Sequence, residues 1–597
     1  MGEQETRQCQ NCKKDFVIEP DDFQFYEKMK VPAPTFCPEC RTQRRMTWRN
    51  ERVLFKRKCN APGHNEDIIS VFSSDAKVVA FDSKYWWSDA WDPLEYGQEY
   101  DFNEPFFEQF KNFIGCVPWI ALSETNMTDC NYCNVAEGDK NCYLVSSTAW
   151  SENVMYANRT VTTRDSADVY ISDKNELCYE LVNCLKSFRL LFSADCVECS
   201  NSAFLYECRN CQNCFGCINL RSKQYYFFNN PCTKEEYEAK IKLYNLGSAT
   251  GIAKAQSDFT DFKMRSIRRY SRIIKSINST GDNITNGKNV RNCFDVVGSP
   301  SAEDIRYCVW AGYGLKDAWD SGPGIAEGEM YYEVFDAQTQ SSNLRFAGVV
   351  YGSFDVQYSI NCHGSRHLFG CYGLRNKEYC ILNKQYTKEE YNALVTRIIE
   401  HMSNMPYTDK RGIIYKYGEF FPSEISPFAY NETIANDYFP LTRNEAEENG
   451  FLWREVNVRD YHITKPASEL TDHIFDVSDD ITKEIIGCLH QEKCTHGCVT
   501  AFRITSSELN LYRKLGVALP RLCFNCRHRE RLAQRSSLQL WHRKCQCAGV
   551  KSENGVYQNT AKHSHGEGQC QNEFETSYAP DRPETVYCEE CYKSEVV

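Results

Sequence analysis

Residues 341–371 read SSNLRFAGVVYGSFDVQYSINCHGSRHLFGC. Leu344, Val356 and Leu368 recur there at 12-residue intervals, each among β-branched or aromatic residues and set off by short polar turns. On either side of this stretch Cys293, Arg306, Ala318, Met330 and Tyr379 join the set, with successive spacings of 13, 12, 12, 14, 12, 12 and 11. One such segment cannot bury its own apolar side, so a steady run of them predicts stacked strands: a mainly β protein built on a central parallel β-solenoid-like repeat. The period leaves open whether a coil is 12 residues or half of a longer rung.

An earlier stretch repeats the plan. CFGCINLRSK at 214–223 and LFGCYGLRNK at 368–377 are each followed by an aromatic strand, an Asn and the run TKEEY. A constant register of 154 carries Lys223 to Lys377, Asn229 to Asn383 and Tyr237 to Tyr391, so the solenoid is duplicated. Thr233 with Glu236, and Thr387 with Glu390, form capping boxes that predict a helix closing each half. Tyr391, Leu394, Val395, Ile398, Ile399 and Met402 give the second of these helices one apolar stripe.

The two ends of the chain carry cysteine quartets. Cys9-x2-Cys12 is separated by 24 residues from Cys37-x2-Cys40, and Cys494-x3-Cys498 by 24 residues from Cys523-x2-Cys526. Paired knuckles of this kind present four thiolates to one tetrahedral ion. Adding 486 maps Cys12, Tyr26, Cys37, Cys40, Arg41 and Arg45 onto Cys498, Tyr512, Cys523, Cys526, Arg527 and Arg531, a second internal duplication. A third quartet is Cys545, Cys570, Cys588 and Cys591, its first pair split by a long insertion containing His563 and His565, with Cys547 an alternative to Cys545.

The stretches CQNCKKDF, FYEK and CPECR near the N-terminus resemble the zinc-ribbon (treble-clef) domain of bacterial proteins, and the segment from Cys570 to VYCEECY is similar to a second small bacterial zinc-ribbon type. The whole arrangement resembles large uncharacterised bacterial zinc-ribbon proteins. That resemblance implies zinc binding, about three Zn2+ by quartet count, and imports no reaction or partner. The boundaries that follow are a ribbon over 1–60, an aromatic connector over 61–115, and the first cysteine-rich half with its helix over 116–245. A basic helical linker covers 246–290, the second half 291–403, a connector 404–485, the second ribbon 486–544 and the last ribbon 545–597.

Composition narrows the class. The 597 residues include 33 Cys, 36 Tyr and 34 Phe and carry a net charge of -12, which argues against coating nucleic acid over the whole surface. The polar opening MGEQETR offers no signal-peptide core, and no run is long and apolar enough for a membrane span, so a reducing cytoplasmic location is expected, with thiolates binding metal or packing as small apolar groups. Basic residues cluster after each ribbon: Arg41, Arg44, Arg45, Arg49 and Arg52, then Arg527, Arg529 and Arg531. They are candidates for binding phosphates of RNA or another nucleic acid, or for offsetting thiolate charge around the metal. Trp86, Trp87 and Trp91 read as core between ribbon and solenoid.

Closed four-thiolate sites leave no coordination position for chemistry, so no catalytic residue is assigned. The expectation is a structural or interaction protein with a nucleic-acid or protein partner and no membrane. The alternative is a metal- or thiol-dependent enzyme using the central cysteines Cys208, Cys211, Cys214 and Cys217, for which stacked buried thiols are the simpler account. Candidate nucleophiles exist, such as Cys362 beside His363 and His367, although adjacency in sequence is poor evidence for a dyad.

Overall fold

The computed structural model describes residues 4–455, 461–491, 493–494, 497–548, 559–566 and 568–596. Its centre is a β-solenoid in two halves, each a 12-stranded sheet. The first runs from Glu124–Thr125 to Asn230–Pro231 and the second from Ile273–Ile274 to Lys384–Gln385. Neighbouring strands are parallel, and the register gives the coil its length: Ala167 pairs with Tyr179 and Tyr179 with Leu191, one turn every 12 residues. An antiparallel hairpin ends each half, Tyr226 against Pro231 and Cys380 against Gln385.

A finer period underlies the coil. From Asn141 through Leu144, Ser147, Trp150, Asn153, Tyr156, Arg159 and Thr162 to Asp165, every third residue has φ between +45° and +58°. Each left-handed residue turns a corner, so a coil has four three-residue sides, and one residue per side points inward. Cys142, Val145, Thr148, Ser151, Val154, Ala157, Thr160 and Thr163 are that inward series, all buried. Asn and Asp tolerate the left-handed region best and add a cross-rung ladder. Asn141 donates to Asn153 at 3.2 Å and Asn153 to Asp165 at 2.8 Å; Asn343 donates to Asp355 at 2.9 Å.

The inward column of the second half is Ile305, Ala318, Tyr331, Leu344, Val356, Leu368 and Cys380. Arg306, Met330 and Tyr379, expected in that column, each sit one residue off it, and Cys293 lies three residues beyond Val290, the residue that pairs with Ile305. The expected spacings of 14 and 11 come from those misplaced positions; the early rungs are longer, 13 residues each from Ile305 to Leu344 against 12 beyond it, and the register shifts between Thr285 and Gly287. The FGC motif shared by the halves also has a geometric reason. Gly216 and Gly370 have φ of +65° and +66°, and a Cβ on Gly370 would lie 3.0 Å from the Phe106 ring.

Helices Lys234–Lys242 and Lys388–Asn404 follow the halves, each with its expected capping box. The linker is a helix over Ala249–Met264 only. Arg268, Arg269 and Arg272 lie beyond it, so the expected basic helix face is not formed. Arg268 and Arg269 pair as a strand with Val586 and Tyr587, while Arg272 forms ion pairs with Asp195 and Glu207. In the aromatic connector Trp86 and Trp91 are buried, whereas Trp87 is 41% exposed. The helix Phe106–Cys116 presses Phe106 and Phe107 against Tyr358 of the second half. No helix among the described residues is long and apolar enough to cross a membrane.

Two sides of the first half are covered. One, with Tyr156 and Tyr179, packs against the helix Ser506–Leu515, and another, with Tyr170 and Tyr206, faces the second half and the C-terminal module. The other two sides present Trp150, Val161, Leu185 and Phe188, between 36% and 56% exposed.

Candidate metal centres

Three modules repeat one local design. An antiparallel hairpin carries two cysteines in its connecting segment: Glu5–Gln8 with Asp15–Ile18 around Cys9 and Cys12, Ile486–Gly487 with Ala501–Phe502 around Cys488 and Cys498, and Trp541–Lys544 with Glu573–Thr576 around Cys545 and Cys570. The third cysteine opens a helix: Cys37 caps Pro38–Met46, Cys523 caps Phe524–Leu532, and Cys588 directly precedes Glu589–Val596. The fourth, Cys40, Cys526 or Cys591, lies in that helix's first turn. Unpaired amides and the helix dipole there favour thiolate over thiol.

The hydrogen bonds coincide as well. The amide of Cys37 donates to Cys9 Sγ at 3.3 Å, that of Cys523 to Cys488 Sγ at 3.2 Å, and that of Cys588 to Cys545 Sγ at 3.2 Å. Side-chain amides add to this, Asn11 Nδ2 to Cys40 Sγ at 3.3 Å and Asn572 Nδ2 to Cys588 Sγ at 3.5 Å. In each module the four sulfurs lie within 4.8 Å of one another, so Cys9/Cys12/Cys37/Cys40, Cys488/Cys498/Cys523/Cys526 and Cys545/Cys570/Cys588/Cys591 could each hold a metal ion.

The first and third quartets have the expected members, and Cys545 rather than Cys547 belongs to the third. The second is corrected: Cys488, not Cys494, completes it. The knuckle that is Cys9-x2-Cys12 in the first module is opened by insertion to Cys488-x9-Cys498 and Cys545-x24-Cys570. The insertions bring further ligands. Cys494 Sγ is 3.7 Å from Cys526 Sγ and groups with His490, while Cys547 groups with His563, His565 and Cys591.

Most of the arginines expected to meet phosphate are turned inward, chiefly onto carboxylates of the solenoid. Arg41 pairs with Asp320 at 2.8 Å, Arg44 with Glu333 at 2.8 Å and Glu419 at 3.1 Å, and Arg45 with Glu333 at 3.0 Å. Arg49 pairs with Asp336 at 2.6 Å and Glu51 at 2.7 Å. In the second module Arg527 meets Asp168 at 2.9 Å, Arg531 meets Asp168 at 2.8 Å and Glu180 at 3.1 Å, and Arg529 meets Asp437 at 2.9 Å. Arg52 lies between the modules, near Asn525, and burial pushes its pKa down to about 10. Apart from Arg52, the ion-pair partners of these arginines are carboxylates.

The docking is crossed and duplicated. Arg41 and Arg45 of the first module reach Asp320 and Glu333 of the second half, whereas their counterparts Arg527 and Arg531 reach Asp168 and Glu180 of the first half. Both carboxylate pairs occupy left-handed corners on adjacent rungs, with φ of 48° and 50° and of 56° and 53°. Tyr26 lies 5.4 Å from Tyr332, and its counterpart Tyr512 lies 5.4 Å from Tyr179. Burial raises the Asp320 pKa to about 6, against the opposing pull of Arg41 and Arg45. Around Asp437 the balance tips the other way: although burial raises its pKa, Arg529, His528 and Arg52 hold it well below the usual carboxylate range.

The central cysteines point into the coil. Cys208, Cys211, Cys214 and Cys217 are buried, and each sulfur lies 3.3–3.5 Å from the carbonyl two residues earlier. Serines of the same columns do likewise: Ser202 Oγ donates to the Ser200 carbonyl at 2.7 Å and accepts from the Cys214 amide at 3.0 Å. Cys and Ser therefore interchange along an inward column, and burial pushes the Cys178 thiol up to about 12.

Cys362 is also inward, its thiol pushed up to about 12 by burial, while His363 and His367 face outward. His363 bonds Asn361 at 2.9 Å and is pushed down to about 3 by burial, and His367 bonds Asp355 at 2.9 Å, so this candidate trio is not assembled. A cavity of about 60 Å³ between the halves, bordered by Asp195, Glu207, Arg272 and Asp282, has room for only a few waters. No protein-family model matches the chain, and no curated protein matches it.

Proposed function

We propose that the protein is a zinc-dependent binding scaffold, in which zinc in the three modules rigidifies helices that clamp the two solenoid halves together and the uncovered sides of the first half receive a protein partner. The observation that carries this reading is the crossed docking. The helices opened by Cys37 and Cys523 are the same ones whose arginines meet the solenoid carboxylates. Four thiolates in a closed group suit a tetrahedral ion without redox chemistry, and such ions contribute folding energy directly to small modules.

A protein partner is favoured over RNA because all but Arg52 of the arginines set aside for phosphate already form ion pairs within the molecule, and because Trp150 and Phe188 offer apolar contact on open sides. Removing zinc from the full-length protein with a chelator should raise hydrogen exchange both in helix Pro38–Met46 and in the rungs around Asp320 and Glu333. Re-adding zinc should restore protection. Unchanged exchange in a protein verified to be free of metal would sink the proposal.

A further inference from the structure

The third module holds more donor atoms than one ion can use. Beyond the quartet of Cys545, Cys570, Cys588 and Cys591, the ligand atoms of Cys547, His563, His565 and Cys591 lie within 4.8 Å of one another. Cys591 belongs to both groups. The separations are Cys547 Sγ to His563 Nδ1 3.2 Å, Cys547 Sγ to His565 Nε2 3.6 Å, Cys591 Sγ to His565 Nε2 3.3 Å, and His563 Nδ1 to His565 Nε2 3.2 Å. Bonds of 2.0–2.3 Å to a tetrahedral ion set neighbouring ligands roughly 3.3–3.8 Å apart.

The surroundings orient these donors toward a common point. His563 Nε2 lies 2.8 Å from Glu595 Oε1, and the carboxylate side chain is fully buried. Placing the imidazole proton on that nitrogen leaves Nδ1 as a bare donor facing Cys547 and His565, the carboxylate–histidine arrangement found around bound metals. Glu595 also accepts from the amides of Thr560 and Ala561 at 3.0 and 3.1 Å, anchoring the inserted segment that carries the histidines. Asn559 Nδ2 donates to Cys547 Sγ at 3.0 Å and accepts at Oδ1 from the Tyr587 hydroxyl at 2.6 Å.

The second module follows the same plan: its insertion brings His490 and Cys494 to Cys526, the counterpart of Cys591. The first module, with its tight Cys9-x2-Cys12 knuckle, has no such insertion.

We propose that the C-terminal module is a binuclear metal centre in which the Cys591 thiolate bridges an ion held by Cys545, Cys570 and Cys588 and a second ion held by Cys547, His563 and His565. This inference rests on the reading that the quartets hold metal. Charge favours the pairing. A lone divalent ion with four thiolates carries two net negative charges, whereas two such ions with five thiolates and two neutral imidazoles carry one, less to accommodate in a buried cluster.

The test uses the full-length chain loaded with 113Cd2+, with ions counted by native mass spectrometry and observed by cadmium NMR. The double variant His563→Ala/His565→Ala should bind one ion fewer than the parent chain. It should lose the mixed sulfur–nitrogen resonance and shift a four-sulfur resonance, because Cys591 becomes a terminal ligand. His563→Cys, which keeps a donor, should retain the count and move the mixed resonance toward the all-sulfur range. An unchanged count in the double variant overturns the second ion, and loss of a resonance with no other shift overturns the bridge. A parent chain that binds no ion overturns this inference together with the reading beneath it, whereas occupied quartets without the extra ion overturn this inference alone.

Discussion

Glu333 is where the clamp of the first module can be tested most directly. Its two carboxylate oxygens receive Arg44 at 2.8 Å and Arg45 at 3.0 Å, and the side chains of both Glu333 and Arg45 are 0% exposed. Glu333→Gln keeps the shape but removes the charge, leaving Arg45 without its carboxylate partner and Arg44 dependent on Glu419 at 3.1 Å. Breaking one side of a buried, hydrogen-bonded ion pair costs about 3–5 kcal/mol, since the surviving charge stays desolvated. The retained amide can accept one hydrogen bond, so the lower end, about 3 kcal/mol, is expected, a shift of roughly two orders of magnitude toward the undocked state. Hydrogen exchange of helix Pro38–Met46 in the metal-loaded protein reads that shift as faster exchange by a comparable factor. Glu152→Gln is the control: Lys140 and Glu152 pair at 3.1 Å with side chains 56% and 36% exposed, and such a pair contributes about 0–1 kcal/mol. If Glu333→Gln leaves the helix as protected as Glu152→Gln does, the arginine network is not what docks the module.

Two further predictions concern the coil. Asn153→Val puts a β-branched residue at φ +56° and breaks the bonds to Asn141 and Asp165, so it should lower stability by about 2–3 kcal/mol in denaturant titration, while Asn153→Gly loses only those two ladder bonds. Cys178→Ser should cost under about 2 kcal/mol, because Ser166 and Ser202 hold the same column one and two rungs away, whereas Cys178→Asp buries a carboxyl group and should prevent accumulation of folded protein, as judged by soluble yield and circular dichroism.

What could be read from the sequence depended on how locally each feature is encoded. The 12-residue period was legible because Leu344, Val356 and Leu368 recur in one column. The three-residue corner was hidden, because the left-handed positions accept Val135, Leu144 and Tyr156 as well as Asn and Asp. There the rung-to-rung hydrogen bonds over-determine a conformation that no single residue type announces. The first cysteine quartet was legible because its knuckles are contiguous. Cys488 was missed because nine residues separate it from Cys498, leaving Cys494 at the more familiar spacing. The arginines were seen as charge without partners, since Asp320, Glu333, Asp168 and Glu180 lie hundreds of residues away along the chain. A periodic Asp or Glu at a solenoid corner, matched to an Arg-x3-Arg helix, was the available signal.

The crossing of the clamps has its own consequence for how the molecule holds together. Had each module docked on the half next to it in sequence, each half would carry its own clamp and the halves could separate without disturbing either one. Instead the first module, N-terminal to both halves, is tied to Asp320 and Glu333 of the second, and the second module, C-terminal to both, is tied back to Asp168 and Glu180 of the first. Each tie closes a loop that contains the other half or the junction between halves, so its closure entropy is set by a very long segment, yet that cost grows only logarithmically with length. The ion-paired arginines offset it once both solenoid halves are in place. Docking therefore couples the two halves: weakening the contact at Glu333 loosens the N-terminal clamp and, through the Arg52–Asn525 contact between modules, reaches the clamp on the other half. The exchange response to Glu333→Gln should accordingly extend beyond Pro38–Met46 into helix Phe524–Leu532, and a response confined to the first helix would show that the two clamps act independently.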